Sequence, residues 1–258
     1  MSVMLELIFI NATLVILGLI AWSKQRVSAS GFFSIVIISS LCIWTRNGEI
    51  LSAMGVMFIT STSLTKYKSD RKKMVRINQT ADSKRNWMQA FCNLGPACIW
   101  SLLNSFNYNE CFVFAAFASV AAANADTWAS ELGILSKKPA RFILSGKVVP
   151  TGLSGGVTLL GTTASLFGAI VISLVFWIFF KEIQIAAIIV LFGFAGSVID
   201  SILGEFFQAS YKNQKGDLQE DSANADLYKG YAWINNNIVN LMSTSLISVI
   251  SYLVFRKM

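Results

Sequence analysis

Apolar runs of roughly 18 residues or more recur along the whole of this chain. A helix of about 20 residues crosses the roughly 30 Å hydrocarbon layer of a bilayer. Inside lipid, only helices and closed barrels satisfy every backbone donor and acceptor. Barrel strands alternate polar and apolar residues over about ten positions, whereas these runs are continuous, and 3 prolines and 12% aromatics suit helices better. Charged residues make up 14% of the chain, against about 25% in soluble domains. The expected fold class is therefore all-α: a polytopic membrane helix bundle of about eight transmembrane helices, in one integral membrane domain covering residues 1–258.

Helices are expected at about 3–22, 31–44, from the turn at 46–49 to 64, at 87–103, from 111 inward, and at 157–180, 183–203 and 231–255. The first segment has no basic n-region and no small-residue cleavage site, so it reads as a retained helix. Residues 1–64 are the less distinctive N-terminal helices, 65–86 a basic cytoplasmic loop, and 111–241 the motif-bearing core. With the N-terminus outside, all of the 21 Lys and Arg except Arg46, Lys181, Arg256 and Lys257 fall on the inner side. Cytoplasmic loops collect basic residues in this way, so the net charge of +7 records topology and implies no nucleic-acid partner. Trp22, Trp44, Trp87 and Trp233 fall near helix ends, as an interfacial belt would place them.

The chain has no histidine. That removes His-based acid–base catalysis, His metal sites and Ser-His-Asp triads. Cys42, Cys92, Cys98 and Cys111 lie in apolar stretches without a CxxC pair and read as small core residues.

Two segments match each other: Asp126-Thr-Trp-Ala-Ser-Glu131 and Asp200-Ser-Ile-Leu-Gly-Glu205 share the pattern D-[ST]-x-x-[SG]-E, each closing a helix that runs inward. Asp and Glu five positions apart are about 140° apart on a helix, so one carboxylate can face the bundle while the other points elsewhere or lies past the helix end. If both Asp side chains turn inward, Asp126 and Asp200 meet near the cytoplasmic face, where two bare carboxylates repel. Mg²⁺ relieves that, because it takes one or two carboxylates together with substrate phosphates. Thr127 and Ser201 are the candidate supporting hydroxyls. A glycine-rich turn, Pro150-Thr-Gly-Leu-Ser-Gly-Gly-Val-Thr158, leads into the next helix with Lys147 just before it. Bare backbone at a helix N-terminus suits an anion, although no GKS or GKT follows, so this is not a Walker A loop.

The loop at 65–86 carries Lys66, Lys68, Arg71, Lys72, Lys73, Arg76, Lys84 and Arg85 against Asp70 and Asp82. It reads either as a positive-inside segment touching anionic lipid or, through Lys66, Arg85 and Asn86, as a phosphate contact. Asn235, Asn236, Asn237 and Asn240 open the last helix; they can order water, bind a substrate head group or bond between helices.

ADTWASELG, VVPTGLSGGVTLLG, DSILGEFFQ and INNNIVN, in this order and spacing, resemble the transmembrane protein 19 family, also called domain of unknown function 92. FITSTSLTKYK and RNWMQAFCNLG extend the likeness upstream, from about Phe58 to Leu241. That family includes the plant phytyl-phosphate kinase, and the layout is also similar to CTP-dependent polyprenol kinases. The resemblance implies a membrane kinase that transfers a phosphoryl group from a nucleoside triphosphate, CTP or ATP, to a phytyl- or geranylgeranyl-phosphate-like isoprenyl monophosphate at the cytoplasmic face. On this reading Asp126 and Asp200 bind Mg²⁺ with Glu131 and Glu205 completing the site. Gly152, Ser154, Gly155, Gly156 and Thr158 cradle nucleotide phosphates with help from Lys147. Arg85, Asn86, Asn236 and Asn240 hold the acceptor phosphate. The alternative from a different class is an ion- or solute-coupled transporter that uses the paired acids.

Overall fold

A computed structural model describes residues 2–75, 85–214, 216, 218–220, 222 and 224–258. The expectations attached to Arg76, Asp82, Lys84 and Lys215 lie outside the described residues. The protein is mostly helical: α1 (Ser2–Ser23), α2 (Ala29–Trp44), α3 (Gly48–Lys66), α4 (Ser69–Val75), α5 (Trp87–Phe106), α6 (Glu110–Gly133), α7 (Leu159–Phe180), α8 (Ile183–Phe206) and α9 (Asn236–Phe255). Among the described residues, α6, α7, α8 and α9 are long and apolar enough to cross a membrane.

The bundle is built around α6, which packs against α3, α5, α7, α8 and α9. Every residue from Val113 to Ala125 is buried. Its run of alanines explains this, because small side chains let neighbouring helix backbones approach closely. It is also the least hydropathic of the four long apolar helices, as befits a helix surrounded by protein. The peripheral helices turn large apolar side chains outward instead: Phe167 and Ile178 on α7, Leu191 on α8, Leu246 and Leu253 on α9. An apolar surface of that extent belongs in lipid. At one end of the bundle the core is aromatic, with Phe176 edge-on to Phe114 at 5.6 Å and to Phe117 at 5.2 Å.

The opposite end gathers the basic residues and the repeated acidic motifs. There Val27 pairs with Arg85, Lys72 with Glu131, Thr158 with Gly133, and Gly155 touches Gly204. These contacts gather one end each of α2, α3, α5, α6, α7 and α8, with Arg26, Lys66, Lys72 and Arg85 among them.

Two small sheets cap this end, and they correct the all-α expectation. β1 (Ala140–Phe142), β2 (Val148–Val149) and β3 (Gly156–Val157) form an antiparallel sheet in the order β2-β1-β3. β4 (Ser210–Asn213), β5 (Leu218–Gln219) and β6 (Ala225–Lys229) form a second in the order β5-β4-β6. Strands of two to five residues are too short to show an alternating pattern in sequence. For the same reason α7 begins at Leu159, after β3, and α9 begins at Asn236, later than expected. The supposed loop at 65–86 is also partly helical, since α3 runs to Lys66 and α4 follows.

Candidate active site

The two repeated motifs converge. Ala121 and Ala122 of α6 face Gly193 and Gly196 of α8, where added methyl groups would overlap. One turn beyond this contact, Asp126 and Asp200 come together on the wall of one cavity, close enough for their carboxyl groups to interact. Asp200 is buried at 7% exposure and Asp126 is half-buried. From α9, Ser243 Oγ donates to Asp200 Oδ2 at 2.7 Å. With its amide nitrogen turned toward Asp200, Asn240 donates to the same oxygen at 3.0 Å and to the Asn236 carbonyl at 3.2 Å. One helix thus fixes the orientation of a carboxylate that belongs to another.

Asp126 stands between two cavities, one of about 630 Å³ and one of about 220 Å³. Asp200 and the glycine-rich turn line the larger. That turn is seated on the end of α8: Gly155 has φ +81°, and a Cβ there would lie 2.5 Å from the Glu205 nitrogen. Only glycine tolerates both the angle and the approach. Within the turn, the Ser154 N–H donates to Glu220 Oε1 at 2.8 Å, so a carboxylate from the second sheet's loop occupies an anion-accepting amide. Ser165 Oγ and Gln208 Oε1, both from residues lining the larger cavity, are buried without a hydrogen-bond partner. Unpaired buried polar atoms are rare and point to a missing polar partner.

The profile of the integral membrane protein family DUF92 matches residues 12–248. The chain belongs to this family. It is 31% identical over 226 residues to Protein PGR of Arabidopsis thaliana, covering 76% of this chain and 78% of the relative. An uncharacterized membrane protein of Methanocaldococcus jannaschii, MJ0933, is 27% identical over 240 residues, 93% of this chain and 90% of its own. Protein VTE6, chloroplastic, of Arabidopsis thaliana is 24% identical over 234 residues, 88% of this chain and 64% of its own. No solved structure matches the chain.

In this DUF92 protein the four expected metal carboxylates do not meet. Glu131 turns away from Asp126 and accepts from Lys72 Nζ at 2.7 Å and Thr65 Oγ1 at 2.8 Å. Glu205 accepts from the Leu144 and Ser145 N–H groups, both at 3.1 Å. Each motif therefore sends its Asp to the site and uses its Glu as a tether, to α4 in one case and to the β1–β2 hairpin in the other. Among the described residues no group of three or more His, Cys, Asp or Glu side chains comes together. The Asp126–Asp200 pair alone fits Mg²⁺, which needs no more than two carboxylates when substrate phosphates complete its shell.

Other expected residues have structural duties. Lys147 lies outside both cavities, donating to the Tyr228 hydroxyl at 2.6 Å. Its ammonium group holds the Tyr228 pKa below the ordinary phenol value. Thr158 Oγ1 caps α7 by accepting from the Gly161 N–H at 3.0 Å, and Gly156 is paired with Phe142 in the sheet. Gly152 and Ser154 line the larger cavity. Asn86 caps α5, accepting from the Gln89 N–H at 3.0 Å, while Arg85 lines the smaller cavity. Asn236 borders both cavities. The hydroxyls of Thr127 and Ser201 bond to carbonyls of their own helices, so Ser243 takes the supporting part expected of them.

Sequence reasoning passed over Ser165, Gln208, Glu220, Ser243 and Lys229. Serines inside an apolar helix read as packing residues, Gln208 closes the DSILGEFFQ segment without a role assigned to it, and Glu220 and Lys229 lie in or beside a polar loop without a motif. Lys229 Nζ donates to the Gly204 and Glu205 carbonyls at 2.8 and 2.9 Å, closing the end of α8. Burial pushes its pKa down to about 8, with Glu205 and Glu220 pulling the other way.

Proposed function

We propose that this protein is a membrane phosphotransferase. It moves the γ-phosphoryl group of a nucleoside triphosphate, CTP or ATP, onto an isoprenyl monophosphate of phytyl or geranylgeranyl type, giving the diphosphate. The observation that carries this reading is the meeting of Asp126 and Asp200 opposite a glycine-rich turn, across a cavity of about 630 Å³. The family resemblance supports the choice of acceptor.

Asp126 and Asp200 would hold Mg²⁺, which when bound neutralises charge on the nucleotide phosphates. Ser243 and Asn240 keep Asp200 turned toward the cavity. The Ser154 N–H donates to a phosphate oxygen once Glu220 withdraws. Arg85 draws the acceptor phosphate toward Asp126. An acceptor oxygen then bonds to the γ-phosphorus as the bridging bond to the β-phosphate breaks, and the nucleoside diphosphate leaves with that electron pair. The attacking oxygen is already anionic, so no general base is needed, and a site without histidine suffices. Phosphoryl transfer depends mainly on positioning and charge neutralisation. The basic end of the bundle faces the cytoplasm on this reading. A coupled transporter holds its acids near the bilayer midplane, whereas Asp126 and Asp200 lie in the last two turns of α6 and α8.

The test uses detergent-purified protein, γ-labelled CTP or ATP, and phytyl or geranylgeranyl monophosphate, with and without Mg²⁺. Mg²⁺-dependent labelled diphosphate is the expected product. Folded protein that yields no product with any pair overturns the proposal.

A further inference from the structure

Arg26, in the turn between α1 and α2, and Arg85, just before α5, are clamped together by their backbones. The Arg85 N–H donates to the Arg26 carbonyl at 3.4 Å, and the Ser28 N–H donates to the Arg85 carbonyl at 3.0 Å. Gly31, in the first turn of α2, closes the clamp: a Cβ there would stand 2.2 Å from the Arg85 carbonyl oxygen. Both arginines, with Lys66 from the end of α3, line the cavity of about 220 Å³. Three separate stretches of chain thus deliver three cations to one small chamber.

The acids of that chamber do not match them. Glu131 is bonded to Lys72 and Thr65, and Asp126 is engaged with Asp200. Among the described residues neither guanidinium has a carboxylate at ion-pair distance. Arg26 Nε and Thr62 Oγ1 are buried without a hydrogen-bond partner. A buried donor left unpaired is costly, and a guanidinium offers a planar fork of donors that matches phosphate oxygens. The chamber also lies at the level expected of lipid head groups. Exposed Trp22 stands four residues before Arg26 and exposed Trp87 two residues after Arg85, and tryptophan favours the membrane–water interface.

We propose that the smaller cavity is a phosphate-monoester subsite, held by Arg26 and Arg85 with Lys66 at its rim, and that the monoester is the head group of a membrane lipid. This deepens the kinase reading and rests on it for the role of acceptor. The lipid phosphate sits in the smaller chamber and the nucleotide in the larger. They meet at Asp126, whose neighbours Gln89, Ser130, Asn236 and Asn237 border both.

Equilibrium binding to the purified full chain tests the subsite without requiring turnover. The probes are geranylgeranyl monophosphate, geranylgeraniol and inorganic phosphate, with a fluorescent ATP analogue followed in parallel. Arg26→Gln and Arg85→Gln are each expected to weaken lipid-monophosphate binding at least tenfold while changing ATP-analogue binding less than twofold. Arg26→Lys should lose less, and inorganic phosphate should bind far more weakly than the lipid. Lipid-monophosphate binding by Arg26→Gln within twofold of the unaltered protein overturns the subsite, and inorganic phosphate binding as tightly as the lipid overturns its assignment to a head group. Because either variant can misfold, the unaltered protein is also treated with phenylglyoxal and mapped by mass spectrometry. Geranylgeranyl monophosphate should protect Arg26 and Arg85, and equal modification with and without it contradicts the proposal. Arginine-dependent lipid binding in a protein that transfers no phosphoryl group upholds the subsite and removes the kinase. Transfer that is unaffected by Arg26→Gln does the reverse.

Discussion

Asp200 owes its orientation to two side chains of a different helix, and the cost of losing either can be estimated. A hydrogen bond to a charged group contributes about 1.5–3 kcal/mol, roughly a tenfold or greater change in rate. Ser243→Ala should therefore lower kcat about tenfold or more while leaving the KM for nucleotide within about twofold, as read by steady-state kinetics. An unchanged kcat would mean that Asp200 needs no support from α9. Lys229 gives a pH-dependent counterpart outside the membrane. Its pKa of about 8 lies below that of an exposed lysine, so between about pH 8 and 10 the unfolded chain binds the extra proton. Stability then rises with pH. Thermal melts of the protein and of Lys229→Met from pH 7 to 10 should show the unaltered protein gaining on the variant across that window. Parallel melting curves would contradict the assignment.

At the scale of elements, the long helices were legible because continuous apolar runs admit little else, and the Asp pair was legible because its motif occurs twice. The sheets were not, since their strands are short and partly polar; they are held by a small apolar cluster of Ala140, Phe142, Val149 and Leu153, against which Leu218 packs, and by the seat of the glycine-rich turn on the end of α8. Nor could the divided duties of Asp and Glu in each motif be fully read. The 140° helical offset separated Asp126 from Glu131, but Lys72 and the Leu144 and Ser145 amides that claim the two Glu side chains are set by tertiary packing. Lys147 stood beside the glycine-rich turn in sequence, yet the β1–β2 hairpin turns it toward Tyr228. The loop of the second sheet places Glu220 on the Ser154 amide, where it competes with any incoming phosphate. Glu220→Gln, which removes the charge and keeps the shape, should tighten nucleotide binding several-fold in a fluorescence titration. Weaker binding would show that Glu220 builds the turn instead of occupying it.

For the whole molecule, the bundle separates an aromatic end from a basic end, and α6 runs through the centre between them. Every catalytic and binding group assigned above lies at the basic end, which the proposed orientation turns toward the cytoplasm. In a variant lacking the native cysteines, a membrane-impermeant maleimide added to intact cells should label Ser105→Cys at the aromatic end. Ser136→Cys, beside the site, should react only after permeabilisation; the opposite pattern would invert the protein in the membrane. The central claim is that phosphoryl transfer depends on the paired carboxyl groups of α6 and α8. It is tested most directly by measuring transfer of the γ-phosphate to geranylgeranyl monophosphate by Asp126→Asn and Asp200→Asn, each shown to be folded by its melting curve. The account predicts at least a hundredfold loss of kcat in both. Turnover by either folded variant within a few-fold of the unaltered protein would contradict it.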